Sequence, residues 1–438
     1  MSKHKVLMLG WEYPPFINGG LGVACAGLCD ALSELVSMTL IVPKVTEGQI
    51  AAKQRILGMN QLKEVFYEKL IEENVYREIE EIYKVNIQLD PYHSELKTAI
   101  GKKLSKAEVK KIKTKQKKYI QNTFNFDSLY GKDVIQKVII YAEFVKKIAK
   151  DLEFDIIHAH DWMTFLAGVE LKKITGKPLV LHVHSLDYDR AGSESRGWVY
   201  DVERSSLSEA DLIFPVSNYT GNILISHYGV SRHKIRAIYN GIEADETFKK
   251  EKAFPEKMVL FIGRLTGQKG PEYFLDIATK IYKKFKNVRF VIAGTGEKLS
   301  YLLEDGAYRQ IGSRVHFTGF IDREKIRELL SMADVYCMPS VSEPFGLTAL
   351  EAANFDVPTV ISERSGVAEV LTGSLKADFW DIDLMVSHIL ELLSNNNTRE
   401  RVVKNNRNDL KKLTWKNAAK QVVEAYDKLL SKHKKQTQ

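Results

Sequence analysis

A chain of 438 residues is longer than one ordinary domain and suits two or three. Its 44% apolar content can fill real cores, and it holds no run of about 18 apolar residues of the kind that crosses a bilayer as a helix. The net charge of +8 is concentrated between Gly101 and Lys118, where nine lysines face one acid, Glu108; no aromatic interleaving or nucleic-acid motif accompanies them, which argues against nucleic acid as a partner.

In chain order, Lys5–Gly10 reads as a first strand. Its short apolar stretch ends at Trp11-Glu12-Tyr13-Pro14-Pro15, too soon for a signal peptide. Leu21, Ala24, Leu28, Ala31, Leu32 and Leu35 recur at helical spacing, and Met38–Val42 reads as a second strand. Cys25 and Cys29 lie on one face of that helix and read as small apolar fillers, since a metal site needs more soft ligands. Three cysteines in all suit a reducing cytoplasm.

From about residue 49 to 130 the pattern is charged and mostly helical, and reads as an insertion. Its lysine run, Lys102–Lys118, reads either as a solvated helix face or as a contact for an anionic membrane or polymer. The alternation resumes with strands at Asp155–His160, Pro178–Ser185, Asp211–Ser217 and Ile235–Asn240. A charged, aperiodic segment, Glu243–Lys257, reads as a linker. A second series follows at Met258–Gly263, Val288–Gly294, Val315–Phe320, Asp334–Pro339 and Val357–Ile361, with helices such as Pro271–Phe285 and Ile326–Ala333 between.

This order predicts an α/β chain of two doubly wound, Rossmann-like domains, residues 1–245 and 254–412, with a cleft between them. Residues 413–438 form a last amphipathic helix, with Ala418, Val422, Ala425, Tyr426 and Leu429 on one stripe.

The chemistry-bearing residues follow strands, where such sheets bind ligands. Asn18-Gly19-Gly20-Leu21-Gly22 opens a helix, and its glycines let amides approach a phosphate. His158-Ala159-His160-Asp161-Trp162 and His182-Val183-His184-Ser185 cluster polar groups at two strand ends. The histidines of each pair are read as pointing to opposite faces of their strand, so only one of each faces the cleft, which argues against a metal site. His184 reads as a donor to a substrate hydroxyl or a shield for a reacting carbon.

In the second series, Gly263-Arg264-Leu265-Thr266-Gly267-Gln268-Lys269-Gly270 puts an arginine fork and a point charge on one loop, suited to a departing diphosphate. Ala293-Gly294-Thr295-Gly296 lets a base or sugar sit against backbone. In Ser342-Glu343-Pro344-Phe345-Gly346-Leu347-Thr348-Ala349-Leu350-Glu351, Gly346 starts a helix whose free amides, near Leu347 and Thr348, can hold a phosphate. Glu343 and Glu351 lie too far apart across a helix start to flank one bond as a hydrolase pair does.

With these motifs the chain resembles the retaining GT-B glycosyltransferases, closest in pattern to glycogen and starch synthase-like enzymes. The resemblance spans nearly the whole chain outside the insertion. It implies a nucleotide-sugar donor, ADP-glucose or UDP-glucose, a glycan acceptor, and neither cofactor nor metal. Carried over by position, Arg264 and Lys269 bind the diphosphate, Glu343 meets the transferred sugar, and His184 sits beside the anomeric carbon. Gly20, Gly294, Gly346, Leu347, Thr348 and Glu351 bind the donor, Glu351 at the ribose. His160, Asp161 and Trp162 lie on the acceptor side. The family's last helix usually crosses back to the first domain. Asn18 departs from the lysine usual before Gly-Gly-Leu in bacterial glycogen synthases, and Ser365-Gly366-Val367 replaces a double glycine. Two activities remain: a cytoplasmic α-glucan synthase, or a transferase peripheral to the inner membrane face acting on a lipid or cell-surface precursor. A GT-B-like epimerase or mere sugar-nucleotide binder is disfavoured by the intact Arg264, Lys269, Glu343 and Glu351.

Overall fold

The computed structural model describes residues 3–46, 55–60 and 129–437, apart from 132, 195, 244–247, 249, 251 and 253. The first domain runs β1 (Lys5–Leu9), α1 (Gly20–Ser33), β2 (Ser37–Val42), β3 (Arg55–Gly58), α2 (Val134–Ile148) and β4 (Ile156–His160). It continues through α3 (Trp162–Thr175), β5 (Leu179–Val183), α4 (Asp187–Ala191), α5 (Trp198–Glu209), β6 (Leu212–Pro215) and α6 (Asn218–Tyr228). The second runs β7 (Lys257–Ile262), α7 (Pro271–Lys284), β8 (Val288–Ala293), α8 (Leu299–Tyr308), β9 (Val315–Gly319), α9 (Arg323–Met332) and β10 (Val335–Met338). Then follow α10 (Leu347–Asn354), β11 (Thr359–Ser362), β12 (Leu375–Ala377), α11 (Ile382–Ser394), α12 (Asn396–Leu410) and the terminal α13 (Trp415–Thr437).

The sheets have the orders β3-β2-β1-β4-β5-β6 and β12-β11-β10-β7-β8-β9. Every pairing in both is parallel. Helices cover both faces, so the central strands are continuous apolar runs, as in Val6-Leu7-Met8-Leu9 and Met258-Val259-Leu260-Phe261, all buried. The strand order reverses between β1 and β4, and again between β7 and β10. Those switch points open a crevice at the carboxyl ends of the strands.

The alternation begins earlier than the sequence reading placed it. Arg55–Gly58, assigned there to the insertion, pairs with β2 as an edge strand. The rest of that segment, including Lys102–Lys118, lies outside the described residues. Ile235–Asn240 is not a strand: it meets β6 through one bridge, Ile213 to Ile235, and two amide bonds. Its apolar pattern comes from covering the sheet edge. The short β12 was missed because three residues carry no period.

The last helix packs on the first domain. Ala418, Ala419, Val422 and Tyr426 join Ala24, Cys25 and Leu28 of α1 in one core. Gly27 of α1 makes room for the Trp415 indole, since a Cβ there would approach it to 2.3 Å. Cys25 and Cys29 are buried and unpaired by disulfide, as fillers should be. No helix among the described residues is long and apolar enough to cross a membrane.

Candidate functional site

On the second-domain side, β10 runs into a loop that ends at Gly346. This residue has φ of 108°, and an added Cβ would lie 3.0 Å from Val367 Cγ1, so only glycine enters α10 this way. The first amides of α10 receive no side-chain cap from Gly346. Glu343, in the same loop, is buried, and its Oε2 lies 2.5 Å from Lys269 Nζ. Its backbone is pinned both ways: Glu343 N donates to Arg364 O at 2.9 Å, and Gly366 N donates to Glu343 O at 2.9 Å. Lys269 closes a 3-10 turn, Gly267–Lys269, after which Gly270 takes φ of 65° with Pro339 O directly over its α-carbon. Arg264 follows β7 and is exposed.

Gly294 has φ of 142°, and a Cβ there would lie 1.9 Å from Gly263 O. Its glycine is thus required where the β7 and β8 loops touch. Thr348 Oγ1 shares a 2.6 Å hydrogen bond with the buried Tyr336 hydroxyl, and Glu351 lies about one turn further along α10.

On the first-domain side, Glu12 anchors the glycine loop. Its buried carboxylate accepts from Asn18 N at 3.0 Å and from the Tyr130 hydroxyl. The loop then faces the other domain: a Cβ on Gly20 would lie 3.6 Å from Leu347 Cδ1. The two glycine-started helix ends, α1 and α10, therefore meet across the cleft.

The four histidines correct the sequence reading. Residues two apart on a strand share a face, and β4 pairs with β5 so that His160 stands opposite His182. All four imidazoles form one stacked ladder with neighbouring centroids 4.5–5.3 Å apart. His158 Nε2 is 3.2 Å from His182 Nδ1, and His160 Nδ1 is 2.9 Å from His184 Nε2. Burial lowers every one of them, His158 and His184 to about 3, so all are neutral. Among the described residues, His158, His160 and His182 form a group whose ligand atoms lie within 4.8 Å of one another, close enough to be tested as a metal set. Their rings are stacked, with His158 already bonded to His182 and His160 to His184, and among the described residues no carboxylate joins the set to offset a buried cation.

Asp161 and His160 are fully buried and Trp162 nearly so. Asp161 holds the loop that carries His184: its carboxylate accepts from His184 N at 2.7 Å and Ser185 N at 3.2 Å. It does so from a strained backbone, φ 59°. Burial raises its pKa to about 7. The residues read as acceptor-side thus lie beneath the cleft surface.

The domains touch beside Glu343. Ser342 Oγ donates to Asp189 Oδ1 at 2.5 Å and meets the Tyr219 hydroxyl at 2.9 Å. Glu369 reaches across to the amino end of α6, accepting from Asn218 N at 3.0 Å and Tyr219 N at 2.6 Å. Sequence reasoning missed Glu12, Asp189 and Glu369, each of which has at least one partner remote in the chain: Tyr130, Ser342 and Asn218. It also missed Phe320, 79% exposed just after β9, where Gly294 N bonds Gly319 O; a large apolar residue closing a strand was the available signal.

Residues 243–409 match the family described as Glycosyl transferases group 1, and residues 123–246 match Glycosyltransferase Family 4. An uncharacterised glycosyltransferase of Methanocaldococcus jannaschii is 31% identical, over 96% of this chain and 97% of its own length. A glycogen synthase of Mycobacterium tuberculosis is 24% identical, over 84% of this chain and 80% of its own. Among solved structures, the catalytic domain of starch synthase IV from Arabidopsis thaliana, bound to ADP and acarbose, has a TM-score of 0.68 at 15% identity, covering 98% of this chain and all of that one. Sucrose-phosphate synthase from Thermosynechococcus elongatus reaches the same TM-score at 17% identity, with the same coverage. Likeness at such identities speaks for the fold.

Proposed function

The chain belongs to the GT-B glycosyltransferases, and from that premise we propose that it moves glucose from a nucleoside-diphosphate sugar to an α-glucan with retention of anomeric configuration. One observation carries the reading: the Lys269–Glu343 pair, 2.5 Å apart, its carboxylate in the loop leading to the uncapped end of α10, whose Leu347 faces Gly20. An ammonium has three N–H groups, so Lys269 can keep Glu343 and still reach phosphate oxygens. Arg264 adds a guanidinium fork, and the Leu347 and Thr348 amides add a helix-end field.

In this reading Glu343 meets the transferred sugar and Glu351 the ribose. Gly294 leaves room for the base, and Phe320 offers it a ring face. His184 lies at the sugar. The bond from the anomeric carbon to the donor phosphate breaks as the acceptor hydroxyl attacks from the same face, and a phosphate oxygen takes the hydroxyl proton. The protein stabilises the growing negative charge and fixes geometry, without a nucleophile of its own or a metal ion. The glycogen synthase and starch synthase among its relatives and neighbours support a glucan acceptor.

The test is a panel of nucleotide sugars incubated with and without glycogen, reading nucleoside diphosphate release and the anomeric configuration of the product. Glucan-stimulated release from ADP-glucose or UDP-glucose with a new α-linkage is expected. A β-linked product, or transfer to lipid in place of glucan, overturns the reading.

A further inference from the structure

His184 and His160 are bonded through ring nitrogens, and the partner on the far side of His160 fixes where the protons sit. His160 Nε2 lies 3.0 Å from Met8 Sδ. A thioether has no hydrogen to give and accepts weakly, so the nitrogen facing it must carry the proton. Burial keeps both rings neutral, with one N–H each. His160 Nδ1 is then a lone pair, and the hydrogen in the 2.9 Å contact belongs to His184 Nε2. His184 Nδ1 is left as an acceptor, buried and without a partner among the described residues.

The neighbouring pair lacks such a lock. His158 Nδ1 meets the Tyr426 hydroxyl at 2.5 Å, and a hydroxyl can give or take, so either tautomer is satisfied there.

We infer that Met8 and His160 are positioning residues that lock His184 as its Nε2–H tautomer, so that it offers the sugar a lone pair and requires a hydroxyl hydrogen in return. This differs from the sequence reading of His184 as a donor or a shield, and it rests on the proposed placement of His184 at the transferred sugar. The substrate class is a nucleoside-diphosphate sugar with a free hydroxyl that meets Nδ1 once the ring or its loop shifts to open this solvent-closed atom; the analogue lacking that hydroxyl leaves the lone pair buried and unpaired.

The test is long-range proton–nitrogen NMR on the full chain with labelled histidine, the His184 signals being identified by their loss in His184→Asn. Wild type should show one protonated nitrogen, Nε2, and one bare nitrogen, Nδ1, unchanged across neutral pH. In Met8→Leu the two nitrogens should average toward each other, and kcat should fall with the competent fraction, about twofold for an even mixture. His160→Asn, whose amide gives or takes, should do the same. A protonated Nδ1 or a mixture in wild type overturns the lock, and needs no variant to fold. An unmoved tautomer in Met8→Leu overturns the role of Met8. A locked His184 whose signals ignore the turned-over nucleotide sugar overturns its role toward the sugar and the site placement, while the lock stands.

Discussion

The second domain builds its half of the site from backbone, and the first builds its half from buried side chains. Around Lys269 and Glu343, positive-φ glycines bring loops within contact distance, and one ion pair supplies the charge. Around His184, a carboxylate and four neutral imidazoles hold one loop through a chain of hydrogen bonds. The difference is one of tolerance. A backbone approach admits no added atom, whereas a polar network admits isosteres that keep its donors and acceptors.

Five variants test that contrast. Gly294→Ala should be the most damaging, because φ of 142° and a Cβ 1.9 Å from Gly263 O cannot both be relieved. A loss of about 4 kcal/mol or more is expected in denaturant unfolding; a near-native midpoint would show the loops to be pliable. Lys269→Ala and Glu343→Ala should each lower kcat by roughly 10²- to 10³-fold while circular dichroism stays native. Near-normal turnover in either would dissolve the second-domain half of the site.

Asp161→Asn probes the first domain. The Asp161 carboxyl pKa is raised by burial from 3.8 to about 7. The folded chain therefore keeps a proton that the unfolded chain has lost. Its share of stability is full below about pH 4 and is lost as pH rises through about 7, at ~1.4 kcal/mol per unit. The substituted amide can still accept from His184 N through its carbonyl oxygen, so the variant should fold and show a flatter decline between about pH 4 and about pH 7. Equal slopes in urea titrations of the two proteins would refute the buried proton. Asn18→Lys should have the smallest effect, lowering the donor KM by about two- to tenfold, since it adds one exposed charge at the loop anchored by Glu12. An unchanged KM would place that loop away from the diphosphate.

Legibility followed the same division. The glycine turns, Arg264, Lys269 and Glu343 stood out because each motif is contiguous and its residue types are rare at strand ends. Both doubly wound sheets were readable from apolar runs spaced by helices. The ladder was not: His158 and His182 are joined only by β4–β5 register. The Tyr426 partner of His158 comes from the last helix, 268 positions away. Treating histidines two apart as facing opposite ways hid the ladder altogether.

The sequence by itself determined the class of fold and the phosphate-facing loops, because apolar period, glycine placement and strand-end charge act over a few residues. Tertiary structure alone decided which protons His160 and His184 carry, where Asp161 points, and how Ser342 and Glu369 join the domains. Those depend on distances between groups far apart in the chain, and such distances are set by sheet register and helix docking, which no local pattern encodes.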